Sequence, residues 1–285
     1  MIKFRGVSFS FHPFFVIIML TSIMTGHFLE LITLFVIVFI HELGHVVAAR
    51  GFGVTVYSIQ MLPFGGVAVM EDTGYLSAGR EIVIALAGPF QNIMLIFIAW
   101  VLHLFGLWDG PFLLYFVEAN ILIALFNLLP ILPLDGGKIS QSLCSIALPY
   151  HATLLWSIRI SLLFSFLVIV YSILPLLLTQ GILQFNLLLV GLFLLYSNWM
   201  DYRNIPYRFL RFLMSREQAF TRHLINGSIV QPILADKAKP LDNILRLFKR
   251  EKYHFIYVMN HLGNIEAVVP EQRVISAYLR GKPGA

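Results

Sequence analysis

The sequence predicts a polytopic α-helical membrane protein with six transmembrane helices and a re-entrant loop, followed by a small α/β module on the cytosolic side. Three observations predict it. Of 285 residues, 58% are hydrophobic and only 12% are charged, where soluble chains carry roughly 25% charged residues. The charge is also partitioned: residues 1–199 hold six Lys/Arg and eight Asp/Glu, whereas residues 200–285 hold fourteen and seven. After residue 229 the long apolar runs give way to short segments of strand and helix period. The chain therefore divides into a membrane domain (1–199), a basic amphipathic linker (200–228) and a cytosolic module (229–285).

A bilayer core takes about 20 apolar residues per helix. Runs near 11–26, 28–50, 80–105, 112–130, 154–177 and 182–199 meet that length. Gly26 and His27 leave room only for a tight turn, so the first two spans form an antiparallel pair. No small-residue cleavage site follows the first run and further apolar segments do, which excludes a signal peptide. Lys3, Arg5, Arg50, Arg80, Lys138, Arg159, Arg203, Arg208 and Arg211 all fall on one side, while the turns at 26–28, 106–111 and 178–181 carry no Lys or Arg. The positive-inside rule then puts both termini in the cytosol. Residues 61–69, from Met61 to Val69, are apolar but too short and too broken by Pro63, Gly65 and Gly66 for a helix. They form either a re-entrant strand or hairpin lining a cavity or an ordinary cytosolic loop. Pro130 and Pro133 end or unwind the fourth span.

The central chemical signal is His41-Glu42-Leu43-Gly44-His45 inside the second span. Helical residues i and i+4 share a face, so both imidazoles can reach one metal ion. Glu42 lies about 100° around the helix, beside such an ion, where it can take a proton from a water whose pKa zinc lowers toward about 7. Two imidazoles and a carboxylate in a lipid-embedded helix cost several kcal/mol unless used. Catalytic zinc takes three protein ligands and keeps one open position. Asp135, after the Pro-broken end of span four and on the same side as His41, leads for the third place, its alternative being a helix-capping Asp. Glu30, His103 and Glu118 fit interfacial or bundle-facing polar roles instead. His12, His27, His151, His223, His254 and His261 have no partner at metal-ligand spacing. Asn120 and Asn127 share a face of span four. Asn127 could donate to a substrate carbonyl or its oxyanion or bond to another helix; Asn120 fits the second role. The single cysteine, Cys144, excludes an intrachain disulfide.

These pieces together resemble the site-2 protease family of intramembrane zinc metalloproteases (peptidase M50). The matching stretches are His41 to His45, Phe64-Gly65-Gly66, Ala87-Gly88-Pro89-Phe90-Gln91-Asn92 and Asn127 to Gly137, over about residues 12–140. The resemblance implies one Zn2+ per subunit held by His41, His45 and Asp135, with Glu42 as catalytic base. It also implies Asn127 and the loop with Phe64, Gly65 and Gly66 beside the substrate. The His12-Pro13-Phe14 start, the turn at Gly26-His27 and the tail size look most like the stage IV sporulation FB type. That type implies a membrane-tethered sigma-factor precursor as substrate, inhibitory membrane partner proteins, and a place in the mother-cell membrane around the forespore. No nucleic-acid partner is expected.

In the tail, residues 200–220 read either as an amphipathic helix on the anionic inner leaflet or as a plain helical linker. Beyond them come a strand at 229–234, a helix opening at Pro240, a hairpin of 255–259 with 265–269, and a helix at 271–279. This order resembles a single CBS module. Such modules pair, which implies a homo-oligomer, and often bind adenosine nucleotides, which implies ATP. Here Pro270-Glu271-Gln272-Arg273 stands where the family has its Thr-x-x-Asp ribose contact. The rival reading of the whole chain is a transporter or metal-sensing protein that uses the His/Asp cluster for ion binding. It does not explain a Glu at the base position, and no inverted repeat is visible.

Overall fold

The structure, a computed structural model, describes residues 2–4, 7–11, 26, 28–62, 65–70, 76–178, 183–226, 230–260 and 263–281. Helix α1 (Phe28–Gly51) follows a turn at Gly26, whose φ of 80° is a left-handed value that glycine takes without strain. Helix α2 (Ala78–Leu104) packs along α1. Helix α3 (Pro111–Asn127) opens on proline, where the missing N–H leaves no bond unmade. A short α4 (Asp135–Ala147), the long α5 (Tyr150–Leu178) and α6 (Phe185–Asn226) complete the helical body. By length and composition three of these helices, α1, α2 and α5, can cross a bilayer; α3 is apolar but shorter. The first expected span, 11–26, lies almost wholly outside the described residues.

Burial in this body is inverted relative to a soluble protein. Thr153, Ser161, Ser165 and Ser172 on α5, and Asn198 on α6, are buried. Leu163, Phe166 and Leu177 point outward. Lipid explains the inversion: apolar side chains lose nothing by facing hydrocarbon, whereas polar ones must find partners between helices. Helix α4, which the sequence reading did not anticipate, follows the same logic. Ser142 and Ser145 face inward while Leu143 and Ile146 are exposed.

A four-stranded sheet lies on one side, in the order β1 (Ile2–Phe4), β2 (Val7–Phe11), β3 (Val56–Leu62), β4 (Gly65–Met70). β2 and β3 are parallel, and β3 and β4 form an antiparallel hairpin with Met61 opposite Gly66 and Leu62 opposite Gly65. The 61–69 segment is thus a hairpin rather than an ordinary loop, with β4 packed near α1. The β1 and β2 strands were not anticipated.

The tail follows the expected order. β5 (Val230–Asp236), α7 (Leu241–Leu245), β6 (Tyr253–Met259), β7 (Ile265–Pro270) and α8 (Glu271–Arg280) build a small three-stranded sheet, with β5 parallel to β6 and β6 antiparallel to β7. Residues 200–226 are not a separate segment. They continue α6, which at 1.5 Å per residue runs roughly 63 Å. Phe209, Phe212 and Leu213 of α6 are buried with Ile233, Leu245, Phe248, Ile256 and Ile275 of the module. Three apolar residues of that basic stretch, Phe209, Phe212 and Leu213, therefore pack on protein.

The segment between α7 and β6 also docks on the helical body. Arg250 donates two hydrogen bonds of 2.6 Å to Glu81 on α2, and Glu81 accepts a third, 2.7 Å, from Ser142 on α4. The N–H of Ala78 at the start of α2 donates to Glu251, and that of Tyr150 at the start of α5 donates to the Phe248 carbonyl.

Candidate metal centre

His41 and His45 are 2% and 4% exposed and lie on the face of α1 that meets α2. Close helix approach makes this possible. A Cβ on Gly44 would come within 2.5 Å of the Ala87 carbonyl, and one on Gly88 within 2.4–2.5 Å of both imidazole Nε2 atoms. The imidazoles can lie this close to α2 because residue 88 has no side chain.

Each ring is oriented by a bond on its far side. His45 Nδ1 lies 2.8 Å from the Ile84 carbonyl of α2. A carbonyl can only accept, so Nδ1 carries the proton and Nε2 presents a lone pair. His41 Nδ1 lies 2.6 Å from Asn92 Oδ1. Asn92, fully buried, directs its amide N–H2 at Asn120 on α3, so its oxygen faces His41 and fixes the same tautomer.

Asp135, the first residue of α4 and 3% exposed, completes the cluster. Its Oδ2 lies 3.0 Å from each Nε2, and the two Nε2 atoms are 3.2 Å apart. The Glu42 carboxylate reaches within 4.8 Å of the imidazole nitrogens. Lys138, one turn along α4, is 3.3 Å from the other Asp135 oxygen. Three lone-pair donors so close repel one another unless a proton or cation sits between them. Their spacing suits a cation: tetrahedral bonds of about 2.0–2.1 Å would separate ligand atoms by about 3.3 Å. The donor set, two imidazoles and a carboxylate, is one that zinc accepts.

The other expected positions are distributed differently. Asn127 ends α3 and turns its amide back onto the Ile123 carbonyl of its own helix, 3.0 Å away. Gly65 and Gly66 begin β4, while Phe64 lies outside the described residues. Glu30, Glu118 and His103 do not join the cluster; His103 pairs with Asp109 at 2.6 Å on the surface. His254 belongs to a separate buried cluster in the tail. His12, His27 and His261, and the side chain of His223, lie outside the described residues. The sequence reading missed the orienting role of Asn92 and the Ile84 carbonyl. A buried amide in an apolar span signals the first; a backbone carbonyl leaves no residue-type signal for the second.

The description Peptidase family M50 matches residues 29–110 and 106–170, the stretch that carries every member of this cluster. Stage IV sporulation protein FB of Bacillus subtilis is 33% identical over 273 residues, covering 95% of this chain and 91% of that protein. The chain belongs to peptidase family M50. Two further likenesses come from Methanocaldococcus jannaschii. A zinc metalloprotease is 32% identical over 153 residues, which is 50% of this chain and 44% of that one. The solved site-2 protease aligns with a TM-score of 0.56 at 27% identity, over 70% of this chain and 93% of that chain. The expectation of a peptidase embedded in the membrane is met at the level of family and fold. None of these relatives favours the transport reading.

Proposed function

We propose that this M50 peptidase is an intramembrane zinc metalloprotease in which His41, His45 and Asp135 hold one zinc ion and Glu42 is the catalytic base. The observation that carries this is the triangle of donors, 3.0–3.2 Å on a side, with both imidazoles turned to present Nε2. Zinc bound there supplies Lewis acidity toward a peptide carbonyl and acidifies a water. Glu42 takes the proton from the attacking water and returns it to the leaving amine. Asn92 and the Ile84 carbonyl keep the imidazoles in the required tautomer. Gly88 puts no side chain against their Nε2 atoms. Asn127, at the end of α3 and eight residues before Asp135, exchanges the Ile123 carbonyl for substrate, with Gly65 and Gly66 of β4 beside it and Phe64 between the two strands of that hairpin in sequence. β4 ends the order of its sheet, so an extended substrate segment could pair along it. A helical substrate would have to unwind first, because its backbone groups are already bonded.

The finer reading is a six-span enzyme with both termini in the cytosol. α1 is about 36 Å long, and His41 sits in the half nearer Arg50, the cytosolic side by the Lys/Arg distribution. A cut there would release a cytosolic product. The Bacillus subtilis relative is named a sporulation protein, which supports a sigma-factor precursor as substrate; inhibitory membrane partners and a mother-cell membrane location go with that proposal. In the tail, the outer sheet face exposes Leu234, Ile265 and Val268, which supports self-association through a CBS-like module. Nothing among the described residues adds support for ATP at that module.

One experiment tests the core of this. The purified full chain, with Asp135→Asn and Glu42→Gln variants, is assayed for zinc content and for cleavage of a membrane-tethered sigma precursor against an unrelated single-span protein. The expected result is zinc lost in Asp135→Asn, and zinc kept with cleavage abolished in Glu42→Gln. Full cleavage by Glu42→Gln overturns the mechanism; cleavage of the unrelated protein alone overturns only the substrate.

A further inference from the structure

Asp135 reaches the imidazoles from the very first position of α4. It follows residues 128–134, where Pro130 and Pro133 interrupt the backbone between α3 and α4. Irregular backbone at this depth must find its partners in protein. Leu132 finds both of them on side chains from elsewhere. Its N–H donates to Ser161 Oγ on α5 at 2.9 Å, and its carbonyl accepts from Asn198 Nδ2 on α6 at 2.5 Å. Ser161 is 1% exposed and Asn198 is fully buried. Ser161 donates its own hydroxyl to Ser157, so its lone pairs are the ones turned to Leu132. Asn198 is braced by the Leu194 carbonyl at 2.8 Å. The Leu132 side chain is buried among Leu154, Ile158 and Ile205 of the same two helices.

The seat is rigid toward Asp135 as well. A Cβ on Gly136 would lie 2.1 Å from the Leu128 carbonyl oxygen, and one on Gly137 would lie 2.5 Å from Leu132 N. The first turn of α4 therefore rests directly on the segment that α5 and α6 grip, with no slack between them. Leu134 N–H closes on the Ile131 carbonyl at 2.9 Å, just before the carboxylate.

We infer that Asn198 and Ser161 are positioning residues that fix the 128–134 segment and thereby place the Asp135 carboxylate against His41 and His45. This rests on the reading of Asp135 as a zinc ligand. It gives α5 and α6 a part in the metal centre, although neither contributes a residue to it. Supporting groups around a ligand typically change metal affinity about 10- to 100-fold when removed.

The test is zinc affinity of the full chain in detergent, by chelator competition, alongside the melting temperature of the metal-free protein. The variants are Asn198→Leu, Ser161→Ala, Ser161→Thr, Ser172→Ala and Asp135→Ala. Ser172 is the control: it is buried on α5 and its hydroxyl donates within its own helix, to the Ile169 carbonyl. Asn198→Leu and Ser161→Ala are expected to lose about 10- to 100-fold in zinc affinity. Ser161→Thr, which keeps the hydroxyl, should stay near wild type, and Ser172→Ala should lower the melting temperature without moving zinc affinity. Ser161→Ala holding zinc as tightly as the parent, or losing no more than Ser172→Ala, overturns the inference; it reports even if Asn198→Leu fails to fold. Asp135→Ala separates the two levels. If it keeps parental zinc affinity, the ligand reading fails; if it loses zinc while Ser161→Ala does not, only the positioning role fails.

Discussion

Among the described residues two buried clusters join histidine to carboxylate, and they differ in one respect that decides their chemistry. In the tail, His254 and Glu271 are fully buried, with His254 Nδ1 3.1 Å from Glu271 Oε2. Here the cation is built in. Arg216 of α6 forms a fork on Glu271 with bonds of 3.0 and 2.7 Å and donates to the carbonyls of Lys249, Arg250 and Lys252. His254 stacks on Phe248 at 4.9 Å. Every strong acceptor there faces a donor. In the membrane body three lone pairs converge, and the ring N–H groups are already committed to Asn92 and Ile84. A His-carboxylate cluster is therefore no metal site in itself. It becomes a candidate when its protons point outward and no guanidinium or ammonium fills its centre.

The sharpest way to break this contrast is at Glu42 and the imidazoles. Glu42→Gln should cut cleavage by about 10^2- to 10^4-fold with zinc retained, whereas His45→Ala should lose both; zinc content and product yield check this. Gly88→Ala should come next. Its methyl would fall 2.4 Å from the imidazoles, so both zinc affinity and cleavage should drop while the tail melts as before.

For the tail, Arg216→Leu should destabilise the module by about 3–5 kcal/mol, because it strands a buried carboxylate. Pairing it with Glu271→Leu should recover most of that loss. Hydrogen exchange over residues 230–281 of the full chain reads both, and a chelator should leave that exchange unchanged.

Acidification should act on the same cluster in a defined direction. Burial, helped by Arg216, holds His254 below the usual imidazole value against the pull of Glu271. Burial would raise Glu271, but the His254 hydrogen bond and Arg216 overcome it and hold it below the usual carboxylate range. Both groups then bind protons more readily unfolded than folded. Their stabilisation is present above about pH 6.5 for the histidine and about pH 4.3 for the carboxylate, and it is lost as the pH falls through the folded values. Once the slower intrinsic exchange at low pH is divided out, protection of the module should fall from pH 7 to pH 5. The smallest effect is expected at the docking contact. Arg250→Ala removes a partly exposed pair with Glu81 and should loosen residues 246–252 by about 1 kcal/mol without changing zinc affinity.

Residue spacing determined a good deal by itself. The extents of α1, α2, α3 and α5, the tail order and the pairing of His41 with His45 follow from period and composition, because those are local properties of the chain. Helix α4 was missed although Ile139, Leu143 and Ile146 carry helical spacing. Gly136, Gly137 and two prolines just before it argue locally against a helix, and only packing on residues 128–132 overrides them. The length of α6 was missed because its composition changes from apolar to basic at residue 200. Composition reports the solvent, lipid then protein, and not the continuity of the backbone. What only the tertiary structure decided is which far-off groups complete each cluster. Arg216 meets Glu271 across 55 residues and Leu132 meets Asn198 across 66, whereas Asp135, which meets His41 across 94, was already put forward by the sequence. A sequence shows that a buried polar group must have a partner, since leaving it without one is costly; which partner it has depends on how helices pack, and that is a property of the whole fold.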